Sequence, residues 1–299
     1  MSKHVIAKKK ERTGWGVHLF FCLFGICCLI PFMMVISASF SNDLDLFDYG
    51  YSIFPKRIDL TAYKLLFENP SVIVNGYKIT IFVTLTATTL AMVVMSMAAY
   101  TLARKSGTVM GKALTYFLYF PSLFSGGLVP SYIINTQYLH LTDKLAVLIL
   151  PGLASAFNIF MIRTFIQQQP VSLIEAAKID GASEFYVYLK IAIPLAKPVL
   201  ATVAFNTALG NWNQWYNSMI YIRSSQKITL QHLLQRMMMN YQAILQQIEK
   251  GVGDVTYDQI PGESMRMAML CIAIGPMMCF FPFFQKYFVK GMVVGAVKG

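Results

Sequence analysis

The chain has 299 residues, of which 56% are hydrophobic and only 13% charged, about half the charged share usual in soluble domains. A soluble fold of this length has no room to hide that much apolar surface, so an ordinary soluble domain is excluded and a lipid-embedded one is indicated. The formal net charge of +11 could suggest a nucleic-acid binder, but its distribution along the chain points to membrane topology instead.

Residues 1–13 form a basic tail with Lys8, Lys9, Lys10 and Arg12. A spanning helix needs about 20 mostly apolar residues, and the first such run is Gly14 to Ser37. Ser37-Ala38-Ser39 would pass as a signal-cleavage site. The apolar run is longer than the roughly 7–15 residues of a signal core, so a retained helix is expected. Asp43, Asp45 and Asp48 follow in what reads as a solvated outer turn.

The second run is Ile79 to Ala99, where Thr80, Thr84 and Thr88 recur every four residues and read as helix-packing contacts. The short loop after it carries Arg104, Lys105 and Lys112. Its Gly107 to Ala113 only mimics a phosphate-binding loop: the glycines are too close, and alanine stands where a magnesium-holding Ser or Thr belongs. The third run is Gly111 to Ile134, with Ser122, Ser125, Gly126 and Gly127 marking a loosened stretch. The fourth, Leu145 to Ile162, carries Pro151, which a spanning helix tolerates when neighbours re-satisfy the backbone.

Pro170 to Pro198 reads PVSLIEAAKIDGASEFYVYLKIAIPLAKP and predicts two short helices. Ser172 and Glu175 form an S-x-x-E capping box. Gly181 is placed to end the first helix in the left-handed conformation. The second runs from about Ser183 until Pro194 and Pro198 turn the chain into the membrane. Leu173, Ala176, Ala177 and Asp180 share one face at three- and four-residue spacing. Such a rod could dock into another protein or lie against its own bundle, and the residues alone do not separate these.

Glu175-Ala176-Ala177-x-x-Asp180-Gly181-Ala182, with Ile191-Ala192-Ile193-Pro194 downstream, resembles the EAA signature of binding-protein-dependent ABC importer permeases. The resemblance implies that this segment is a coupling helix seated in a cleft of an ATPase subunit. Ser172, Glu175, Ala176, Ala177, Asp180, Gly181 and Ala182 would then make or support that contact. It also implies a second, similar permease subunit, two ATPase subunits that bind ATP and magnesium, and an extracytoplasmic solute-binding protein. The chain itself would bind no cofactor or metal and catalyse no covalent step.

The fifth run, Val199 to Ile222, is the most polar. Thr202, Asn206, Gly210, Asn213 and Asn217 make one stripe on a helix, flanked by Trp212, Trp215 and Tyr216. Amides donate and accept together and suit sugar hydroxyls, while aromatic faces suit the apolar faces of sugar rings. The stripe reads as pathway lining through Asn206, Gly210, Asn213, Asn217, Trp212 and Trp215, or as interhelical glue. An outer loop of residues 223–266 follows. In it Leu230, Leu233, Leu234, Met237, Met238, Tyr241, Ile244, Leu245 and Ile248 keep helical spacing, before Gly251 and Gly253 end the pattern. The resemblance assigns this loop to contact with the solute-binding protein.

The sixth run is Met267 to Phe284. Phe283 to Gly291 and Gly295 to Gly299 look like the end of maltose-type sugar permeases of the second-subunit kind, with the flavour of importers for complex or modified oligosaccharides such as pectin and alginate. That likeness places Gln285, Lys290, Gly291 and Lys298 at the ATPase interface, in or just before a cytoplasmic tail of residues 290–299.

Residues 14–289 are therefore expected to form an all-α, six-span permease domain of the type I ABC importer fold. Six spans put both termini on one side, and that side carries the whole +11 excess, which makes it cytoplasmic. A bacterial inner membrane is the expected setting. Within the spans only His18 and Lys112 are ionisable, both near span ends. An ion-coupled carrier usually needs charges at mid-membrane and a membrane enzyme needs convergent catalytic groups, so both rank below a permease driven from outside the bilayer. An ABC importer for a non-sugar solute is the nearer rival.

Overall fold

The computed structural model describes residues 15–249 and 262–296. Within them the regular structure is helical apart from one isolated bridge between Ser41 and Ile58. The chain divides into two units, Met1–Glu68 with Leu245–Ile272 and Asn69–Ile244 with Ala273–Gly299.

The first unit opens with α1 (Trp15–Ser39), exposed along nearly its whole length and apolar on every face, as a helix facing lipid should be. Only Ser37, Ala38 and Ser39 are buried, and the Tyr63 hydroxyl donates to Ser39 Oγ at 3.0 Å. The small residues that resembled a cleavage site are thus used in packing. Asn42 caps α2 (Asp43–Tyr49), its side chain accepting from the Leu44 N–H. Just before α3 (Thr61–Leu66), whose cap position is Leu60, Asp59 accepts from the N–H and hydroxyl of Thr61. Asp43 does not lie in a solvated turn. Its carboxylate accepts the backbone N–H of Ser264 at 2.8 Å and that of Gly262, at the start of the last helix. A helix start leaves N–H groups without intrahelical partners, and a carboxylate satisfies them.

The second unit is built on α4 (Pro70–Arg104), longer at both ends than the sequence pattern suggested. The third apolar run is not one straight helix. α5 (Val109–Leu123) stops, and α6 (Leu128–Ile133, continued by a π turn Ile134–Tyr138) restarts at 115° to it. Gly127, at φ +84°, makes the reversal, so the loosened stretch is a true break. The fourth run bends by 47° between α7 (Ala146–Ile149, with a 3₁₀ turn containing Pro151) and α8 (Ala156–Gln167), which Ser155 caps. α8 continues past Ile162 and so includes Arg163, whose Nη1 donates to Thr115 Oγ1 on α5 at 3.2 Å.

α9 (Val171–Ile179), α10 (Glu184–Val187), a π turn (Tyr188–Ala192) and α11 (Ile193–Leu195) form the predicted inner segment. From there the chain swings through 80° into α12 (Lys197–Trp212). Pro198 cannot donate to the preceding turn, so the hydrogen-bond ladder breaks there. The fifth run also breaks toward its C-terminal end: Asn213 closes α12, and α13 (Tyr216–Tyr221) follows. After α14 (Leu230–Glu249), α15 (Glu263–Ala296) runs without interruption through the two tail glycines, Gly291 and Gly295.

Among the described residues, α1, α4 and Glu263–Phe280 of α15 are long and apolar enough to cross a membrane alone. Three bent pairs pass the same test together, giving three clear spans, or up to six if each pair counts as one. The core of the second unit is a stripe of α4 (Ala91, Met95, Ala99) against Ile159, Ile162 and Ile166 of α8 and Val199 and Val203 of α12. The inner segment joins this core through Ile174, Val187, Tyr188 and Ala192.

Candidate functional site

α9 begins two residues earlier than the capping-box reading required. Pro170 occupies the cap position and no side chain caps the helix, so Ser172 lies inside the first turn and does not bond Glu175 reciprocally. Proline pre-sets the backbone for a helix start and does not need the missing N–H. The other end agrees with the sequence. Gly181 adopts φ +79°, its N–H donates to Lys178 O at 3.0 Å, and the Ala182 N–H donates to Ala177 O at 2.9 Å. This pair of bonds is the Schellman motif. Ala177 and Ala182 both lean on the core beneath. Ser183 then caps α10, accepting from the Tyr186 N–H.

α9 is held by one row of side chains. Ile174 is buried and Ala177 half-buried, while Ser172, Leu173, Glu175, Ala176 and Asp180 are exposed. Ile179, at 86% exposure, is an aliphatic side chain with almost no cover. The ground under the rod is stiff. Gln169 Nε2 donates to Ala192 O in the π turn at 3.2 Å, and Tyr188 shares a 2.8 Å hydrogen bond with Ser96 of α4. The Tyr100 ring lies 5.4 Å from the Tyr188 ring.

In α12 the polar stripe separates from its aromatic flank. Asn206, Gly210 and Asn213 are exposed on a face that this chain leaves uncovered, and Thr202 is half-buried and bonded to its own helix at Pro198 O. Trp212, by contrast, is buried to 2% exposure. Its Nε1–H donates to Ala273 O at 2.9 Å and its ring sits 6.3 Å from Tyr77. It packs the bundle and does not share the open face with the asparagines. Asn217 lies beyond the break, half-buried on α13. Trp215 is exposed beside Tyr216, their rings edge-to-face at 5.7 Å.

On the opposite end from α9, Thr80 accepts the N–H of Leu230 at 2.8 Å and so ties α4 to the first residue of α14. Thr229 caps α14 through His232 N, and Ser218 shares a hydrogen bond with His232 Nδ1 at 2.9 Å. Burial, helped by the positive charge of Arg236, holds the His232 pKa below the ordinary histidine value. Asp143 joins two loops: its carboxylate accepts the N–H groups of Arg223 and Ser224 and pairs with Lys227 at 3.0 Å. The Ser224 N–H first and the Lys227 ammonium next hold its pKa below the usual carboxylate range.

The family model for the binding-protein-dependent transport system inner membrane component matches residues 20–294. The chain belongs to that family. As an ABC importer permease it is 38% identical over 277 residues to Protein LplC of Bacillus subtilis, covering 92% of this chain and 91% of that one. It is 32% identical over 284 residues to the polygalacturonan/rhamnogalacturonan transport system permease protein YtcP of Bacillus subtilis, covering 95% and 97%. Among solved structures it is similar, with a TM-score of 0.75 and 25% identity, to a chain of a bacterial ABC transporter involved in the import of the acidic polysaccharide alginate. That match covers 91% of this chain and 95% of that one.

The permease thus leaves Ser172, Glu175, Ala176, Asp180 and Gly181 exposed on α9 and its end while Ala177 and Ala182 pack inward, and it brings Asn206, Gly210 and Asn213 onto one exposed strip. Gln285 is exposed on α15, and Lys290 and Gly291 fall within the same helix rather than in a separate tail. Lys298, Gly251 and Gly253 lie outside the described residues. The sequence reading passed over Tyr100, Gln169, Glu184 and Tyr188, which tie the rod to α4 and the π turn. Of these only Glu184 carried a local signal, directly after the Ser183 cap.

Proposed function

We propose that this permease is one half of the membrane channel of an ATP-driven oligosaccharide importer, with six spans and both termini in the cytoplasm. α9 docks into an ATPase subunit and the open face of α12 lines the solute pathway. The observation that carries the docking role is the rod itself: capped at Gly181, stiffened from below, and offering Leu173 and Ile179 to a partner. Apolar side chains left open on a well-anchored helix gain free energy when a partner covers them. ATP-driven closure of two ATPases moves the rod, and the bundle switches the side to which it opens. The chain contributes differential stabilisation of two pore states and no covalent chemistry.

For the pathway, Asn206, Gly210 and Asn213 offer amides and backbone without a carboxylate. Such a strip accepts sugar hydroxyls and does not repel an acidic sugar. The names of the relatives, a polygalacturonan/rhamnogalacturonan permease and an alginate importer, support an oligosaccharide containing uronate residues. The outer elements around α14 and the Asp143 clamp are the assigned seat of a solute-binding protein, and a second, non-identical permease completes the channel.

Affinity purification of the tagged chain from its native membrane should co-elute two ATPase copies, a second permease and a solute-binding protein. The reconstituted assembly should then import an oligogalacturonate with ATP and not with an ion gradient. Uptake driven by an ion gradient without ATPase subunits would refute the reading, and import of an amino acid or peptide in place of any sugar would refute its substrate class. Asn206→Leu should insert normally and lower the uptake rate about two- to tenfold, the range of one lost hydrogen bond. Unchanged kinetics would assign the strip to helix packing instead.

A further inference from the structure

We propose that Glu184 is a positioning residue that clamps α9 to the inner end of α4, so that a displacement imposed on the rod reaches span two directly as well as through the chain into α12. The proposal rests on the docking role assigned to α9. Three side chains from two helices meet at this one carboxylate. Lys178, in the last turn of α9, lies 2.7 Å from Glu184 Oε1. Tyr100, on α4, donates its hydroxyl to Oε2 at 2.6 Å. Arg104, on the same helix, reaches within 3.8 Å of Oε1. Oε1 therefore takes the rod's Lys178 with Arg104 of span two farther off, and Oε2 takes Tyr100 of span two, so the one carboxylate joins both elements.

The local backbone explains why the carboxylate sits there. Gly181 ends α9, Ser183 caps the next helix, and Glu184 is its first residue, so two helix ends meet between Lys178 and Glu184. Tyr100 is buried to 7% exposure against Tyr188, which makes its hydroxyl a fixed post. Glu184 is 52% exposed, so each ion pair alone is worth little. Its effect is geometric, because one planar group holds two donors at a set separation. Glutamine keeps the length but replaces one acceptor oxygen with a donor NH₂. With its oxygen turned to Lys178, its NH₂ faces Tyr100, whose hydroxyl must then accept instead of donate, so the charge-assisted bond to Oε2 is replaced by a weaker reversed one.

The test compares the assembled transporter carrying wild-type chain, E184Q, Y100F and the double variant in proteoliposomes. The readouts are ATP hydrolysed, solute imported, and the KM for solute. E184Q should keep ATP hydrolysis and solute KM, while solute imported per ATP falls about three- to tenfold, as expected for loss of a partly exposed charged link. Y100F should show a smaller fall, and the double variant should be no worse than E184Q, since both break the same connection. An unchanged ratio in E184Q, a proportional fall of hydrolysis and uptake, or multiplying effects in the double variant would each overturn the clamp. Should E184Q fail to assemble, Y100F decides, because it keeps the buried ring and removes only the donor; a wild-type ratio there overturns the proposal. A wild-type assembly without ATPase subunits would sink the docking role itself, and the clamp with it.

Discussion

Gly181→Val leaves membrane insertion intact and cuts solute uptake about tenfold or more at near-normal ATP hydrolysis. Gly181 holds φ +79°, and nothing lies within 4 Å of where a Cβ would stand. The cost of a side chain there is therefore conformational and not steric crowding with neighbours. A left-handed backbone costs an L-residue roughly 1–2 kcal/mol, with β-branched residues at the high end. Escaping that strain gives up the bonds from Gly181 N to Lys178 O and from Ala182 N to Ala177 O, and the end of the rod shifts. A rate loss of about tenfold corresponds to ~1.4 kcal/mol, within the range of the strain. Gly181→Asn provides the control, because asparagine visits the left-handed region readily and should transport nearly as well as wild type. The measurement is ATP hydrolysed per solute in proteoliposomes. Valine and glycine transporting equally well would remove α9 from the coupling path.

Trp212→Ala destabilises the permease by about 3–5 kcal/mol, the usual cost of emptying a large aromatic site. Trp212 is 2% exposed, contacts Tyr77 and donates to Ala273 O at 2.9 Å. Truncation removes the ring and its hydrogen bond to α15, and the apparent melting temperature in detergent should fall by roughly 10 °C. Trp212→Phe should cost only about 1 kcal/mol, the worth of the N–H bond. Because the indole faces away from the open strip, the solute KM of whatever alanine variant still assembles should match wild type. A stable alanine variant with a raised KM would place Trp212 in the pathway after all.

The contrast between Trp212 and Asn206 shows where the sequence stops being informative. Both belong to the same apolar run, and helical spacing put the indole beside the amide stripe. In a soluble helix, hydrophobic periodicity tells which face is inside. In lipid both faces are apolar, and that signal disappears. Trp212 turns out to anchor α12, whereas Asn206 looks outward. The breaks at Gly127, Pro151 and Asn213 follow the same logic. Glycine and proline marked two of them in the sequence, but whether the chain bends by 47° or by 115° depends on what packs against it.

What the sequence determined by itself lay within one helical turn or one long apolar run, though not every such signal held: the Ser172 capping box gave way to a helix start at Pro170. That covers the membrane class, the left-handed end of α9 at Gly181, a second helix starting near Ser183 and the turn at Pro194 and Pro198. Each is a property of a few consecutive residues and their backbone, and each needs no distant partner. Tertiary structure alone decided that Glu184 would meet Tyr100 across 84 residues and that Asp43 would cap a helix start 221 residues away. Carboxylates look alike in sequence whether they face water, cap a helix or bridge two elements. Only the path of the chain through space decides which N–H or O–H group lies within 3 Å.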